Sequence, residues 1–326
     1  MTDRPVVMTD NIFHDLEEVR AELAGLGLEL EVAPSSDEDT LTRLAGTASA
    51  LIVVYAKITE KVIAAAAAGG ARVISRCGIG FDNIDVAAAT RHGIQVTYVP
   101  DYCLDEVADH TIMLLLAFTR GLLPAALSIR SGGWHASGME VHRIAGSTLA
   151  LIGIGRIGRR VASRALALGL TVKAYDPFVT TWDKEGVTLA SSLEDAVADA
   201  DFVSLHAPMT AENHHLVNAG MLRLLKPTAV LINTARGGLV DLDAVTDALS
   251  GGRLGGVALD VFESEPLPEG HPLRSHPAAL ITPHMAYYSI ESESELKRRA
   301  AEEVTRALRG EPPRCPVNRL EERRAG

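Results

Sequence analysis

A chain of 326 residues with 47% hydrophobic and 22% charged residues is long enough for two globular domains, and this composition excludes a disordered protein. Its formal net charge of −11 argues against nucleic acid and against an anionic membrane surface as partners. The chain shows no signal-peptide pattern and no uncharged apolar run long enough to span a membrane. Its three cysteines, without a CxxC pair, favour a reducing cytoplasmic location over a disulfide framework or a zinc site.

The first hundred residues alternate short apolar runs with helical patterns. This alternation is typical of β/α units, and it predicts a parallel sheet in a doubly wound, flavodoxin-like domain. The predicted strands are Val6–Thr9, Leu28–Val32, Ala50–Tyr55, Arg72–Ser75 and Ile94–Tyr98. The predicted helices begin near Phe13, Asp39, Thr59 and Val86.

Residues 104–119, LDEVADHTIMLLLAFT, form a long apolar pattern with helical spacing. Gly121 and Pro124 interrupt this pattern, and a second helical stretch ends at residues 131–133. We interpret the first of these helices as the crossing into a second domain.

Residues 148–283 repeat the β/α alternation, and they are followed by a charged amphipathic helix at residues 291–309. Strands are predicted at 148–152, 170–175, 201–205, 229–233, 256–260 and 279–282. Six parallel strands in one stretch make a complete doubly wound domain of the Rossmann type.

The second domain opens on the glycine pattern G-x-G-x-x-G, formed by Gly153, Gly155 and Gly158 after an apolar run. The first glycine allows a tight turn, the second lets the backbone approach a pyrophosphate, and the third lets helix and strand pack closely. Asp176 follows Gly158 by 18 positions at the end of the next predicted strand, where it can bind an adenosine ribose. Its charge would repel a 2′-phosphate, so the pattern predicts NAD rather than NADP.

Because this fingerprint lies in the middle of the chain, we expect one domain to be inserted into the other. Residues 1–102 with 288–326 are predicted to form a substrate-binding domain, and residues 103–287 an NAD-binding Rossmann domain. We expect a cleft between them to hold the nicotinamide and a substrate.

Three further segments follow predicted strands of the second domain, where ligands of such sheets bind. They carry Arg236 beside two glycines, three acids between Asp260 and Glu265, and His284 after Thr282-Pro283. An arginine suits a substrate carboxylate, and an imidazolium beside a carboxylate can give a proton to a carbonyl oxygen. Together these residue types predict hydride transfer to a 2-keto acid.

Several strings resemble motifs of the D-isomer-specific 2-hydroxyacid dehydrogenases over nearly the whole chain. They are RCGIGFDNID (76–85), GIGRIG (153–158), SLHAPMT (204–210), NTARGGLVD (233–241), GVALDVFESEP (256–266) and TPH (282–284). Within that family, ENHHLVN (212–218), NTARGGLVD and PHMAYYS (283–289) resemble the branch that includes the C-terminal binding proteins. The resemblance implies an NAD-dependent dehydrogenase acting mainly as a 2-keto acid reductase.

The resemblance also implies individual roles. Arg236 matches the catalytic arginine, His284 the acid/base histidine, and Glu265 the carboxylate partner of that histidine. The residues implied to bind the cofactor are Gly153, Gly155, Arg156, Ile157, Gly158, Asp176, His206, Ala207, Pro208, Thr234, Ala235, Arg236, Asp260, His284, Val107 and Thr111. Those implied to bind the substrate are Arg76, Gly78, Ile79, Arg236 and Tyr287, the last where that branch carries a tryptophan.

Other functions stay open from the sequence. An NADH-sensing scaffold like the corepressors of that branch is one alternative, although residues 1–60 show little similarity to them. Formate dehydrogenase is another, although that enzyme carries glutamine at the position of Glu265. The short stretch after residue 310 makes a long 3-phosphoglycerate dehydrogenase with a regulatory domain a less favoured expectation.

Two further expectations concern partners and metals. The family resemblance implies a homodimer, for which helix 104–119 and the following arm could supply the interface. We expect no metal site, because the adjacent His214 and His215 point apart on most backbones and no acid or cysteine lies near them at ligand spacing.

Overall fold

The computed structural model describes residues 4–134, 141–182 and 185–320. The chain divides into two compact units. The first unit comprises Met1–Tyr102 and Ser289–Gly326, and the second comprises Cys103–Tyr288. Each unit is an α/β unit with its own parallel sheet.

The first unit contains a five-stranded sheet in the order β2-β1-β3-β4-β5, which is the flavodoxin-like order. All four neighbouring strand pairs are parallel. The strands are β1 (Val6–Met8), β2 (Leu30–Val32), β3 (Ala50–Val53), β4 (Val73–Arg76) and β5 (Gln95–Thr97). Every residue of β1, β3 and β4 is buried, as expected for a parallel sheet with helices on both faces.

Helices flank this sheet along the order that the sequence predicts. They are α1 (Glu17–Ala24), α2 (Glu38–Ala45), α3 (Glu60–Gly69), α4 (Val86–Arg91) and, from the end of the chain, α11 (Ile290–Leu308). The first helix begins later than the predicted start near Phe13, because Phe13 is buried in a turn in which its N–H donates to Asn11 Oδ1. A side-chain cap at Asp37, which accepts from Thr40 N–H, explains the sharp start of α2.

A buried lysine joins α11 to α1 within the first unit. Lys297 Nζ lies 3.2 Å from Asp15 Oδ1, 3.1 Å from Glu18 Oε2 and 3.4 Å from Glu293 Oε1, and its side chain is only 3% exposed. The ammonium group also lies 5.7 Å from the centre of the Phe13 ring. Burial lowers the pKa of Lys297, but the surrounding carboxylates outweigh this effect and hold the pKa above the ordinary value. The lysine is therefore charged and offsets part of the negative charge of these three acids.

The second unit contains a seven-stranded sheet in the order β12-β11-β10-β9-β6-β7-β8, with every neighbouring pair parallel. The strands are β6 (Thr148–Ile152), β7 (Thr171–Tyr175), β8 (Val187–Leu189), β9 (Phe202–Leu205), β10 (Val230–Asn233), β11 (Gly256–Leu259) and β12 (Ala279–Ile281). The order of β6 to β11 is that of a Rossmann sheet, with β12 added at one edge.

The prediction of six strands in the second unit is wrong by one, because it omits β8. This strand has only three residues, Val187, Thr188 and Leu189, and none of them is fully buried. It lies at the edge of the sheet and pairs with β7 alone. A short, partly exposed edge strand leaves no apolar run in the sequence, so the pattern could not reveal it.

The helices of the second unit are α5 (Leu104–Thr119), α6 (Leu122–Arg130), α7 (Arg156–Ala167), α8 (Leu193–Val197), α9 (Ala219–Leu222) and α10 (Leu242–Ser250). Helix α5 packs so closely on the sheet that a Cβ atom at Gly256 would overlap the ring of Phe118. Among the described residues, no single helix passes the length and hydropathy test for crossing a membrane. The helices α5 and α6 meet the criteria of length and hydropathy only when they are taken together, and the bend between them is 62°.

Replacing Lys297 with methionine is expected to lower the free energy of unfolding by about 2 kcal/mol, because the surrounding carboxylates would lose their counter-charge. The expected cost is below the roughly 3–5 kcal/mol lost when a fully buried pair is broken, because solvent screens the exposed partners. Urea titration followed by circular dichroism measures the change.

The control for this prediction is Lys61→Met, which removes an exposed ion pair with Asp39. Its effect on the free energy of unfolding should be clearly smaller, because solvent screens both charges. Equal losses in the two variants would contradict the structural role of Lys297.

Candidate active site

The candidate site lies where the strands of the second unit end. Residues after β6, β9, β10, β11 and β12 are all at the carboxyl edge of one parallel sheet, which is the ligand-binding edge in doubly wound folds. The predicted cofactor and catalytic residues of this unit come mainly from these five loops and from α5.

Two glycines of the turn after β6 are required by close backbone contacts. Gly153 has φ of +93°, and a Cβ atom there would lie 2.7 Å from the backbone of His206 and Ala207. A Cβ atom at Gly158 would overlap the carbonyl oxygen of Gly153. These contacts press α7 against the turn, as the predicted role of the first and third glycines requires.

The middle glycine faces open space instead. Among the described residues, a Cβ atom at Gly155 would meet nothing within 4 Å. Gly155 is also the N-cap of α7, which begins with Arg156 and Ile157, and no described side chain caps the first turn of that helix. The amino end of α7 therefore presents backbone N–H groups and a positive dipole end to an open space, which fits a pyrophosphate.

Asp176 follows β7 and binds the same turn. Its Oδ2 accepts a hydrogen bond of 3.0 Å from Ile154 N–H, and its Oδ1 accepts one of 2.9 Å from Phe178 N–H. Each carboxylate oxygen has a further lone pair, so the group can still accept from ribose hydroxyls. This geometry is compatible with a nucleotide site that holds an uncharged ribose hydroxyl at this end.

His206 lies against the turn after β6 that carries Gly153, which we call the glycine turn, and it is uncharged at neutral pH. Its backbone N–H donates to the carbonyl of Ile152, and its Nε2 is 2.9 Å from Ser204 Oγ. Burial lowers the pKa of His206 to about 4. With Ala207 and Pro208, it forms the start of the loop after β9. This segment packs against the turn of Gly153, which is the candidate phosphate site.

The residues predicted from α5 meet the loop after β10. Thr111 Oγ1 lies 2.8 Å from Thr234 Oγ1 and also donates to the carbonyl of Val107. All three residues are buried. The contact places the helix directly beside the backbone segment of Thr234 and Ala235.

A buried asparagine holds the loop that carries Arg236. Asn233 Nδ2 donates to the Arg236 carbonyl at 2.8 Å, and Asn233 Oδ1 accepts from Ala235 N–H at 3.0 Å. This side chain is fully buried. The sequence patterns led to no predicted role for Asn233. An amide at the end of a buried apolar strand nevertheless indicates a group that must find hydrogen-bond partners.

The same loop packs tightly on the segment after β11. A Cβ atom at Gly237 would overlap the carbonyl carbon of Phe262, so only glycine fits. The contact brings the turn of Arg236 beside the turn that carries Glu265. The positive charge of Arg236 is among the influences that lower the pKa of Glu265.

Glu265 and His284, which the family resemblance implies to be partners, form a close pair. Glu265 Oε2 lies 2.7 Å from His284 Nδ1, and the side chains of His284 and Glu265 are 31% and 32% exposed. Burial raises the pKa of Glu265, but the hydrogen bond and charge of His284 outweigh it and hold the pKa below the ordinary value. An ionised carboxylate can only accept, so Nδ1 carries a hydrogen. The ring of Tyr287 lies edge-on to His284 with centroids 6.3 Å apart.

Asp260 organises the loop in which His284 lies. Its fully buried carboxylate accepts hydrogen bonds from Thr282 Oγ1 at 2.6 Å, Met285 N–H at 2.9 Å and Ala286 N–H at 2.9 Å. The main-chain carbonyl of Asp260 accepts from His284 N–H. The predicted contact of Asp260 with the cofactor stays a prediction, but its role in positioning the loop is visible.

A histidine that sequence reasoning missed completes this network. His110, on α5, has Nε2 at 3.1 Å from Thr282 Oγ1 and 3.6 Å from Asp260 Oδ1. Burial lowers its pKa, an effect only partly offset by Asp260. The signal was available, because His110 lies beside Thr111 and about one helical turn after Val107 in a helix predicted to pass the cofactor.

In the first unit, Arg76 lies folded over the turn after β4. Its Nε donates to Asn83 Oδ1 at 3.3 Å, and its Nη1 donates to the Cys77 carbonyl. The guanidinium carbon lies 5.9 Å from the centre of the Tyr55 ring. Gly78 has φ of +148°, a backbone conformation that L side chains rarely adopt, and a Cβ atom there would overlap Arg76 Nη1 unless the arginine side chain moved.

The predicted substrate loop is thus compact. The Gly78 N–H donates to the carbonyl of Arg76 at 3.0 Å, and Ile79 is half-buried. Burial raises the pKa of Cys77 to about 12, so this thiol is a buried hydrophobe rather than a nucleophile. The substrate-binding roles of Arg76, Gly78 and Ile79 stay predictions.

The expectation that His214 and His215 point apart is wrong. Their rings are stacked with centroids 3.9 Å apart, and both contact Glu263. His215 has a positive φ of 52°, which turns the two adjacent side chains to the same side. The acid that the sequence did not place near them comes from the segment after β11.

Replacing His206 with asparagine is expected to flatten the pH dependence of unfolding between about pH 4 and pH 6.5. The pKa of His206 is about 4 in the folded chain and 6.5 ordinarily, so the unfolded chain binds more protons in this window and the native state gains stability as pH rises. Urea titrations across the window measure the slope, with the exposed His142→Asn as control. An unchanged slope in the His206 variant would contradict the neutral state of this histidine in the folded chain.

Residues 112–286 match the family model described as the NAD binding domain of the D-isomer specific 2-hydroxyacid dehydrogenases. The chain is 38% identical over 296 residues to a glyoxylate reductase of Thermofilum pendens, covering 88% of this chain and 86% of that protein. It is 35% identical over 316 residues to a D-3-phosphoglycerate dehydrogenase of Methanocaldococcus jannaschii, covering 96% of this chain and 59% of that protein. A crystal structure of a Thermus thermophilus protein superposes with a TM-score of 0.87 at 36% identity, covering 96% of this chain and 100% of that one.

Proposed function

This chain belongs to the D-isomer specific 2-hydroxyacid dehydrogenase family, and we propose that it reduces a small 2-keto acid to the D-2-hydroxy acid with NADH. The observation that carries the proposal is the contact of 2.7 Å between His284 Nδ1 and Glu265 Oε2, next to the loop of Arg236. This is the set of groups that carboxylate binding and proton donation to a carbonyl require. The likeness to the C-terminal binding proteins in particular stays a prediction.

The residues around the glycine turn fit a dinucleotide. The space beside Gly155 and the amino end of α7 suit its pyrophosphate, and Asp176 suits its adenosine ribose. Thr234, Ala235 and the α5 face of Val107 and Thr111 are proposed to line its nicotinamide half. When bound, the nicotinamide supplies or accepts a hydride at C4.

Arg236 is proposed to bind the substrate carboxylate and to polarise the carbonyl that is reduced. A guanidinium forms paired hydrogen bonds with a carboxylate and stays charged throughout. As C2 of the keto acid becomes tetrahedral, its oxygen gains negative charge, and a fixed positive group nearby lowers the energy of that state. Asn233 is a positioning residue in this proposal, because it holds the carbonyl of Arg236.

His284 is proposed to donate the proton that completes the reaction. Its Nδ1–H is held by Glu265, so the opposite nitrogen, Nε2, is the atom that gives a proton to the carbonyl oxygen. The carboxylate of Glu265, ionised because its pKa is held low, stabilises the imidazolium before the transfer. In the reverse direction, the neutral imidazole accepts the proton of the hydroxyl group.

We also propose that the chain is a homodimer in which α6 contacts a second copy. None of the nine residues of this helix is buried by the described part of the chain. Leu122 is 61% exposed, Leu127 52% and Ile129 51%. A helix with several exposed aliphatic side chains is typical of a surface covered by a partner.

Replacing His284 with alanine is expected to lower kcat for 2-keto acid reduction by about 10²–10⁴-fold, because the proton donor is lost. Arg236→Ala is expected to lower kcat/KM by at least about 10²-fold, because carboxylate binding and carbonyl polarisation are both lost. Glu265→Gln should lower kcat less than His284→Ala, because the proton donor remains. The measurement is the loss of NADH absorbance with a panel of 2-keto acids from glyoxylate to phenylpyruvate.

The controls are Arg253→Ala and His142→Ala, which remove exposed side chains of the same types in the same unit. Both should keep the full rate. Turnover that survives the loss of Arg236 or His284, or NADH binding without turnover of any acid in the panel, would contradict the proposed function. NADH formation from formate would favour a different reaction.

Replacing Asp176 with asparagine is expected to weaken NADH binding about tenfold and to reduce the discrimination against NADPH. The amide oxygen can still accept one backbone N–H, so the turn should be preserved, while the charge that repels a 2′-phosphate is lost. Fluorescence titration with both cofactors measures the ratio. If the native chain bound NADPH as tightly as NADH, this result would contradict the proposed role of Asp176 in binding the ribose and excluding a 2′-phosphate.

A further inference from the structure

The cluster of His214, His215 and Glu263 lies outside the groups proposed for hydride transfer. Its two histidines come from the loop after β9, and its acid from the segment after β11. The segments are held together by Glu263, whose Oε1 lies 2.8 Å from His214 Nε2 and whose Oε2 lies 3.1 Å from His215 Nε2. Two imidazoles that aim the same nitrogen at one carboxylate are already convergent.

The geometry of the cluster meets the demands of a small divalent ion. One ligand atom from each residue can be chosen so that all three lie within 4.8 Å of one another. Ligand bonds to zinc of about 2.0–2.2 Å place such atoms on the surface of one coordination sphere after small side-chain rotations. The stacked rings, 3.9 Å apart and inclined by 23°, keep the two nitrogens side by side.

The chemistry of the three groups also suits a metal. Hydrogen bonds from His214 and His215 lower the pKa of Glu263, so the carboxylate is ionised, as a ligand must be. The side chains of His214, His215 and Glu263 are 40%, 35% and 50% exposed, so an ion can reach them from solvent. The positive φ of His215 is the backbone feature that lets two adjacent residues serve one centre.

We propose that His214, His215 and Glu263 bind one divalent transition-metal ion, with Zn²⁺, Ni²⁺ and Cu²⁺ as the favoured ions. Imidazole and carboxylate ligands select these borderline ions over Mg²⁺ and Ca²⁺, which prefer oxygen alone. Three protein ligands leave at least one coordination position for water. The ion replaces the hydrogen bonds between the histidines and Glu263 with stronger bonds.

An ion bound by this cluster would lie close to the turns that carry Arg236 and Glu265. Glu263 precedes Glu265 by two residues, and a Cβ atom at Gly238, two residues after Arg236, would lie 3.5 Å from the ring of His214. An ion at this site therefore ties the loop after β9 to the turns that carry Arg236 and Glu265. Its binding is expected to raise the thermal unfolding temperature of the chain.

The test is calorimetric titration of the untagged, chelator-treated full chain with ZnCl₂ and, separately, with MgCl₂. We expect one Zn²⁺ per chain and no Mg²⁺ binding in the same concentration range. His214→Ala, His215→Gln and Glu263→Gln should each weaken Zn²⁺ binding by about tenfold or more. The matched control is His142→Ala, an exposed histidine elsewhere in the same unit, which should bind Zn²⁺ like the native chain.

A second measurement guards against variants that do not fold. Co²⁺ added to the native chain should give ligand-field absorption that the three variants lack, while circular dichroism in chelator shows that each variant is folded. Absence of Zn²⁺ binding to the native chain would overturn the proposal. So would binding that persists in all three folded variants, since it would then belong to other residues.

Discussion

The candidate active site depends on one buried carboxylate, that of Asp260. It accepts two backbone N–H groups, from Met285 and Ala286, and the hydroxyl of Thr282, in a position with no access to water. A buried charge is stable only when its oxygens are satisfied in this way. The loop of residues 282–286 is consequently held in one conformation. That conformation includes His284 at φ of +51°, a region that costs a non-glycine residue about 1 kcal/mol or more.

The fixed conformation of this loop also positions His284, the proposed proton donor, and its partner Glu265. His284 is held at its backbone by the Asp260 carbonyl and at its ring by Glu265. Glu265 in turn accepts from Phe262 N–H at 2.9 Å, so its second oxygen is also tied to the segment after β11. Because Gly237 packs on that segment, the loop of Arg236 is part of the same arrangement. Three loops far apart in the sequence are thus held as one group by a few short contacts.

The sequence predicts much of this arrangement, because parallel strands bring their ends to one edge. The glycine turn, Asp176, Arg236 and His284 all follow apolar runs, so their meeting at the edge could be expected from the pattern. The pairing of Glu265 with His284 came from family resemblance, and the structure contains the contact.

Other features depend on three-dimensional contacts that leave no pattern. Strand β8 is too short and exposed to produce an apolar run. The convergence of His214 and His215 depends on a positive φ at a non-glycine residue, which residue type alone does not reveal. Both features were missed for the same reason, because contacts between distant parts of the chain determine them and the local sequence does not.

Hydride transfer between NADH and C2 of a 2-keto acid is the reaction that we propose for this chain. The most direct test is to supply NADH carrying deuterium at C4, on each face in turn, with the best keto acid of the panel, and to analyse the product by mass spectrometry. We expect one deuterium at C2 of a D-2-hydroxy acid from one of the two labelled cofactors. A hydroxy acid product without deuterium from either cofactor would contradict this proposal.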